Sequence, residues 1–147
     1  MNEHIRKITH VTIKSKRFSE AVEFYENVLE LDKKFTLDYD EGLVERMEQT
    51  GFVQAGDPWI SYFKISDREF IELFNQNYKD EDHIGDYSYA YVTFKVGDLK
   101  KTAETIAGKG VELYKDEFGT EAINAEAVSG YFFVKDPDEN AIMYIQA

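Results

Sequence analysis

Among the histidine and carboxylate side chains that can hold a metal ion or move a proton, His10 and Glu72 stand in strand-like apolar runs. Imidazole nitrogens and carboxylate oxygens are common ligands of divalent cations, and both groups act as general acids and bases. Glu72 stands inside the apolar run 70–74 (FIELF), where burial of an unpaired carboxylate is costly. We therefore predict a functional role for Glu72, the alternatives being solvent exposure on an edge strand or pairing with Arg68. For His10 the alternative is a strand histidine satisfied by a neighbouring hydroxyl or carbonyl group.

The composition limits the classes of partner. The chain has 147 residues and carries 17 basic and 29 acidic side chains, a net charge of -12 that disfavours nucleic acid and anionic membranes. No segment approaches the roughly 18 apolar residues of a membrane span, and the charged amino terminus lacks the pattern of a signal peptide. The absence of cysteine excludes a thiolate nucleophile and is compatible with a reducing compartment. We expect a cytoplasmic protein whose partner is a small molecule.

A short internal repeat shows which elements carry these residues. The run 10–14 (HVTIK) reappears as 91–95 (YVTFK), 81 positions later. Both runs alternate apolar residues with others at period two, which is typical of a half-buried strand. His10 and Thr12 share one face of the first strand, while Val11 and Ile13 share the other.

Each of these strands is followed by a segment with helical periodicity. The predicted helices span 19–29 and 99–107, because their apolar residues recur at spacings that form one face. Ser19 and Asp98 are the predicted N-caps, since their side chains can accept a hydrogen bond from the first turn.

A second match follows in each half. The run 62–67 (YFKISD) resembles 131–136 (YFFVKD) at an offset of 69, and a turn then leads to the last strands, 70–74 and 141–145. At that offset the turn of the second half is two residues longer. The order predicted for each half is strand, helix, strand, strand, strand.

Two such halves predict an α+β fold of two βαβββ modules that form a cupped mixed sheet around a cleft, with the helices outside. We predict a single domain over 1–147, with a first module at about 1–76, a linker at about 77–87 and a second module at about 88–147.

The sequence resembles the vicinal oxygen chelate superfamily, the group of glyoxalases, bleomycin resistance proteins and extradiol dioxygenases. Four segments carry the resemblance: 8–13 (ITHVTI), 21–25 (AVEFY), 70–73 (FIEL) and 131–140 (YFFVKDPDEN). The last resembles the family signature with Glu139 in place of the usual glycine.

The resemblance implies a metal site built from equivalent points of the two halves, which are His10, Glu72, Tyr91 and Met143 in this sequence. The repeat pairs the same positions. His10 and Glu72 are ordinary ligands for a divalent ion such as nickel, zinc, manganese or iron, whereas a phenol must first lose its proton and a thioether prefers soft metals. The resemblance therefore implies an altered or weakened metal site anchored by His10 and Glu72.

Two functions follow from the resemblance. The first is a glyoxalase-like lyase or isomerase with Glu72 as the catalytic base; an extradiol dioxygenase is disfavoured because Tyr91 and Met143 replace two of its three ligands. The alternative is a metal-free binding or resistance protein of the bleomycin-binding type, whose aromatic cleft suits a planar or cationic ligand with Glu72 as the counter-charge. The predicted ligand-binding residues are Phe70, Phe74, Tyr89, Tyr91, Thr93 and Met143. The resemblance also implies a homodimer.

Overall fold

The computed structural model describes residues 8–38, 60–75, 91–115, 122–123, 126–127 and 130–146. The chain divides into two compact units, Met1–Asp86 and Tyr87–Ala147, which we call module 1 and module 2 and describe separately. Within the described ranges, no helix is long and apolar enough to cross a membrane.

Module 1 contains a four-stranded mixed sheet and a helical segment. Its strands have the spatial order β1-β4-β3-β2; β1 runs parallel to β4, and the other neighbours are antiparallel. In chain order the elements are β1 (His10–Ser15), α1 (Phe18–Glu23), a π-helical segment (Phe24–Val28), β2 (Asp32–Leu37), β3 (Ile60–Ser66) and β4 (Glu69–Asn75).

Module 2 repeats this topology. Its four-stranded sheet has the order β5-β10-β9-β6, again with one parallel pair between the first and last strands of the module. The elements are β5 (Tyr91–Val96), α2 (Leu99–Ala107), β6 (Tyr114–Lys115), the short paired strands β7 (Ala122–Ile123) and β8 (Glu126–Ala127), β9 (Tyr131–Lys135) and β10 (Ala141–Gln146). The predicted α+β class with two βαβββ modules is confirmed.

In each module one face of the sheet carries a hydrophobic core. On module 1 the fully buried side chains of this face are those of Ile13, Phe63, Ile71 and Leu73, and the ring of Tyr25 lies 5.7 Å from that of Phe63. The helical segment therefore covers this face, and the even-numbered residues of β1 and β4 point to the other.

The core face of module 2 is aromatic. The ring of Tyr144 stacks on Phe132 with the centroids 4.9 Å apart and meets Phe94 edge-on at 5.5 Å. Burial raises the pKa of the Tyr144 phenol, because the phenolate would lose its hydration. Met143 and Phe133, one residue along each strand, lie on the opposite face.

The two helices begin differently. The predicted cap at Asp98 is confirmed, because its carboxylate accepts a hydrogen bond from the Lys101 backbone N–H at 2.9 Å. The predicted cap at Ser19 is wrong: α1 begins one residue earlier, after Arg17, which makes no side-chain cap. The buried ring of Phe18 explains the shift, since burial of a large apolar side chain in the first turn outweighs the modest gain of a serine cap.

The register of the sheets corrects the second sequence match. Tyr62 lies opposite Glu72 on β4, whereas Phe133 lies opposite Met143 on β10. Phe133 is therefore the structural equivalent of Tyr62, at an offset of 71 rather than 69. The turn of module 2 is longer, because β9 ends at Lys135 and β10 begins at Ala141, whereas only residues 67–68 separate β3 from β4. The two-residue slip preserves the face of the strand, because side chains alternate with period two.

The 136–140 turn of module 2 is held by a buried carboxylate. Asp136 accepts hydrogen bonds from the backbone N–H groups of Asp138 and Asn140 and from the Asn140 side chain, each at 2.9 Å. Glu139 in this turn has φ = 67°, a left-handed conformation that a glycine adopts without strain.

Candidate functional site

The sheet face of module 1 opposite the core brings together side chains from all four strands. Cross-strand neighbours in register share a face, so these residues form one continuous line, which we call the Glu72 row. The row consists of Phe35 on β2, Tyr62 on β3, Glu72 on β4 and Thr12 on β1.

Glu72 is the buried charge of this row. Glu72 is only 6% exposed, and both of its carboxylate oxygens accept hydrogen bonds from hydroxyl groups. Thr12 Oγ1 donates to Oε1 at 3.0 Å, and the Tyr62 hydroxyl donates to Oε2. The carboxylate is thus hydrogen-bonded, as a buried polar group must be, but neither donor neutralises its charge.

Tyr62 acts here as a neutral donor. Burial, the hydrogen bond to Glu72 and the negative charge of that carboxylate raise the pKa of the Tyr62 phenol. A phenol with a raised pKa keeps its proton at physiological pH, so Tyr62 fixes the carboxylate and is not available as a phenolate ligand.

His10 lies beside the row on β1, two residues before Thr12 and opposite Phe70. Its Nε2 atom is 3.8 Å from Glu72 Oε2, and its ring meets the Tyr62 ring edge-on with the centroids 6.2 Å apart. The Thr9 hydroxyl lies 3.3 Å from Nδ1 on the other side of the ring. The structure therefore brings His10 and Glu72 together, with the imidazole beyond hydrogen-bonding distance of the carboxylate.

Aromatic rings surround the carboxylate. The Phe35 ring lies on Tyr62 with the centroids 4.6 Å apart, and Phe35 is 49% exposed. Phe70 and Phe74 flank Glu72 at the preceding and following positions on the same face of β4. Phe74 is fully buried and Phe70 is half-buried, so the row combines a charged centre with an apolar surround.

The equivalent positions of module 2 have lost the charge. We call them the Met143 row: Tyr114 on β6, Phe133 on β9, Met143 on β10 and Thr93 on β5. Tyr91, the equivalent of His10, donates its hydroxyl to the Met143 sulfur at 3.4 Å and is 61% exposed. Tyr114 stacks on Phe133 with the centroids 4.9 Å apart.

The residues present do not fit a four-ligand divalent-metal site. Among the described residues, no group of three or more His, Cys, Asp or Glu side chains is placed to hold a metal ion. Both Glu72 oxygens accept hydrogen bonds from hydroxyl groups. In module 2 the Tyr91 hydroxyl donates a hydrogen bond to the Met143 thioether. Of the four positions that the resemblance implies, only His10 and Glu72 carry ordinary ligands for such an ion, which is fewer than the three protein ligands of ordinary catalytic zinc sites.

Sequence reasoning missed two residues of this site and named one that cannot be placed. These two residues are Tyr62 and Thr12, the two donors to Glu72. The period-two pattern of β3 and the correct repeat offset would have placed Tyr62 opposite Glu72. Tyr89, one of the predicted ligand-binding residues, lies outside the described residues.

The family model for the glyoxalase/bleomycin resistance protein/dioxygenase superfamily matches residues 7–144. The chain belongs to this superfamily. The match covers both modules and confirms the family resemblance of the sequence. No curated protein matches the chain significantly.

Solved structures share the fold at low sequence identity. A lactoylglutathione lyase from Agrobacterium tumefaciens matches with a TM-score of 0.61 and 13% identity over 96% of this chain and 93% of its own. An antibiotic binding protein from a Streptomyces species matches with a TM-score of 0.64 and 14% identity over 99% and 98%. A superfamily member from Sphaerobacter thermophilus has a TM-score of 0.63 and 17% identity over 98% and 99%. At these identities the likeness is one of fold, and the fold carries both lyase and binding functions.

Proposed function

We propose that the chain binds a planar, cationic small molecule at the Glu72 row of module 1, without a metal ion. The observation that carries the proposal is the Glu72 carboxylate, buried and held by two neutral hydroxyl donors among aromatic rings. A buried charge whose hydrogen-bond donors in the described part of the chain are neutral hydroxyl groups attracts a ligand that carries a cation.

The aromatic part of the row favours a flat ligand. Phe35 is exposed beside Tyr62, so its ring offers a face on which a planar cation can stack. His10 lies at the opposite end of the row with a partly exposed ring. We further propose that Phe70 and Phe74, the predicted lining residues that flank Glu72 on β4, contact the ligand.

A fluorescence titration with proflavine, a planar organic cation, tests the proposal. Glu72→Gln removes the charge and keeps a similar shape, and Asp67→Asn removes one charge from a fully exposed side chain of the same hairpin. Both variants change the net charge of -12 by the same amount, so non-specific attraction is matched between them. We expect Glu72→Gln to weaken binding at least about tenfold, or ~1.4 kcal/mol, and Asp67→Asn to leave it unchanged.

Two results would contradict the proposal. One is equal affinity of proflavine for the two variants, which would assign the binding to overall charge. The other is equally tight binding of anthracene-9-carboxylate, a planar anion, since Glu72 should repel it. The melting temperature of each variant, measured without ligand, establishes that both are folded.

A glyoxalase-like lyase or isomerase is the second candidate. The proximity of His10 to Glu72, 3.8 Å between Nε2 and Oε2, favours it, because an acid or base is then available beside the carboxylate. Glu72 would take the proton from the substrate carbon, and it would first have to exchange the hydroxyl donor on one oxygen for that proton. Turnover of the adduct of methylglyoxal and glutathione, present in the wild type and absent in Glu72→Gln, would establish this function.

The assembly and location proposed with this function are a homodimer in the cytoplasm. Family members often form dimers, and the cysteine-free composition suits a reducing compartment. Light scattering on the purified protein tests the assembly: a mass of twice 17.1 kDa is expected, and a mass of 17.1 kDa contradicts it.

A further inference from the structure

Module 2 contains a cavity on the core face of its sheet, the face opposite the Met143 row. The cavity has a volume of about 490 Å³ and lies between α2 and the sheet. Leu99 and Ala103 of α2, Leu113 and Phe132 form apolar parts of its wall. This volume lies in the range of small-molecule sites, roughly 300 to 1,000 Å³.

The cavity exists because α2 packs loosely on its sheet. Ile106 is the buried residue of α2, whereas Leu99 and Ala103 on the same apolar stripe are only half-buried. In module 1, by contrast, α1 has only six residues and two of them, Phe18 and Ala21, are buried. The apolar stripe of α2 thus leaves part of its surface free for a ligand.

The start of α2 is nevertheless fixed. The backbone N–H of Leu99 donates to Gln146 Oε1 at 3.0 Å, which joins the first turn of the helix to the end of β10. Asp98 caps the same turn through the Lys101 N–H. The cavity therefore has a rigid end, as a binding site requires.

Two opposite charges line this cavity one helical turn apart. Lys100 and Glu104 are both exposed, and among the residues that the structure describes neither takes part in an ion pair. Their order explains this, since a lysine that precedes a glutamate by four positions is the less favourable arrangement on a helix. An anionic group can thus bind to Lys100 and a cationic group to Glu104 without breaking an ion pair between described residues.

We propose that this cavity binds the zwitterion of an α-amino acid with an apolar side chain. The carboxylate pairs with Lys100, the ammonium group pairs with Glu104, and the side chain packs against Leu99, Ala103 and Phe132. A ligand of one charge would meet one favourable and one unfavourable partner, whereas a zwitterion meets two favourable ones. The site is separate from the Glu72 row and does not depend on the function proposed there.

An NMR titration of the full chain tests this site with three probes of similar size. They are L-phenylalanine, 3-phenylpropionate, which lacks the ammonium group, and 2-phenylethylamine, which lacks the carboxylate. We expect saturable shifts of the α2 amides with phenylalanine at millimolar concentration and binding about fivefold weaker for each analogue. Equal binding of an analogue overturns the zwitterion assignment, and no saturable shift in α2 overturns the site.

Variants of the helix localise the binding. Lys100→Gln and Glu104→Gln are expected to weaken phenylalanine binding about fivefold each, and Lys101→Gln, a neighbouring lysine outside the cavity, is the matched control with no effect. Ala103→Leu fills the cavity and is expected to abolish binding while keeping the fold. Glu72→Gln should leave phenylalanine binding unchanged, and loss of binding there would contradict a separate site.

Discussion

The Glu72 row and the Met143 row occupy the same places in two modules of the same topology, yet their chemistry differs. In module 1 a carboxylate receives hydroxyl groups from Thr12 and Tyr62. In module 2 the central residue is a thioether, and the residue opposite it is Phe133, which has no hydroxyl. The carboxylate and the phenol opposite it thus occur together in module 1, and module 2 lacks both at the equivalent positions, although Thr93 occupies the place of Thr12.

The comparison also supports the proposed binding site in module 1. The Met143 thioether can be buried without a hydrogen-bond donor, and the Tyr91 hydroxyl nevertheless donates to it. The Glu72 row retains a charge without a matching cation among its hydrogen-bond partners. We therefore expect a ligand that carries a cation to bind at the Glu72 row rather than at the Met143 row.

Placing a carboxylate at position 143 is expected to have the largest effect on the free energy of unfolding. Met143→Glu places a charge opposite Phe133, where the hydroxyl found at Tyr62 is missing, and we expect a loss of about 3 kcal/mol in the free energy of unfolding. Adding Phe133→Tyr supplies the donor and should recover about 1 to 2 kcal/mol. Urea unfolding near neutral pH measures both changes.

Two results with these variants would contradict the proposed difference between the rows. If Met143→Glu costs nothing, the Met143 row tolerates a charge without a phenol at position 133. If Phe133→Tyr gives no recovery, the hydroxyl of Tyr62 is not what accommodates the carboxylate in module 1.

Removing the phenol hydroxyl that donates to Glu72 or to Met143 should cost unequal amounts of stability. Tyr62→Phe deprives the buried Glu72 of a donor, and we expect a loss of about 2 kcal/mol. Tyr91→Phe removes a weak bond to sulfur from a residue that is 61% exposed, and the expected loss is about 0.5 kcal/mol. Equal losses in urea unfolding would contradict the difference between the rows.

Alkaline pH gives a smaller effect that also distinguishes the rows. Because the pKa of Tyr62 is raised in the folded state, its contribution to stability is complete below the ordinary value of 10.0 and is lost as the pH rises above it. The stability difference between the wild type and Tyr62→Phe should therefore shrink above pH 10. Urea unfolding on both sides of this pH measures it, and a constant difference would show that the phenol titrates normally.

The smallest effect concerns the 136–140 turn. Glu139→Gly relieves the left-handed backbone at φ = 67° and loses an exposed ion pair with Lys135, so we expect a net gain of about 0.5 kcal/mol. Glu139→Ala loses the same ion pair and keeps the strained backbone, so it should be slightly destabilising. Thermal unfolding of the two variants side by side decides whether the conformation of residue 139 is strained.

Much of the fold could be predicted because periodicity and repetition are local signals. The alternation in 10–14 and 91–95 located β1 and β5, and the spacing in 99–107 gave the bounds of α2. The cap at Ser19 failed because burial of Phe18, a tertiary effect, decides where α1 begins.

The candidate site was predicted in part. Glu72 could be singled out because a carboxylate in an apolar strand is unusual, and its pairing with Met143 followed from the repeat. Tyr62 was missed because its role depends on the register between β3 and β4, and the similar runs 62–67 and 131–136 suggested a repeat offset two residues too short.

We propose above all that the Glu72 carboxylate binds an organic cation rather than a metal ion. Calorimetric titration of nickel, zinc, manganese and iron into the wild type and the double variant His10→Ala, Glu72→Ala tests it most directly. Our account predicts no binding to the wild type beyond that of the variant, because the two hydroxyl groups engage both carboxylate oxygens. Stoichiometric binding that disappears in the variant would contradict it and restore the metal-dependent lyase.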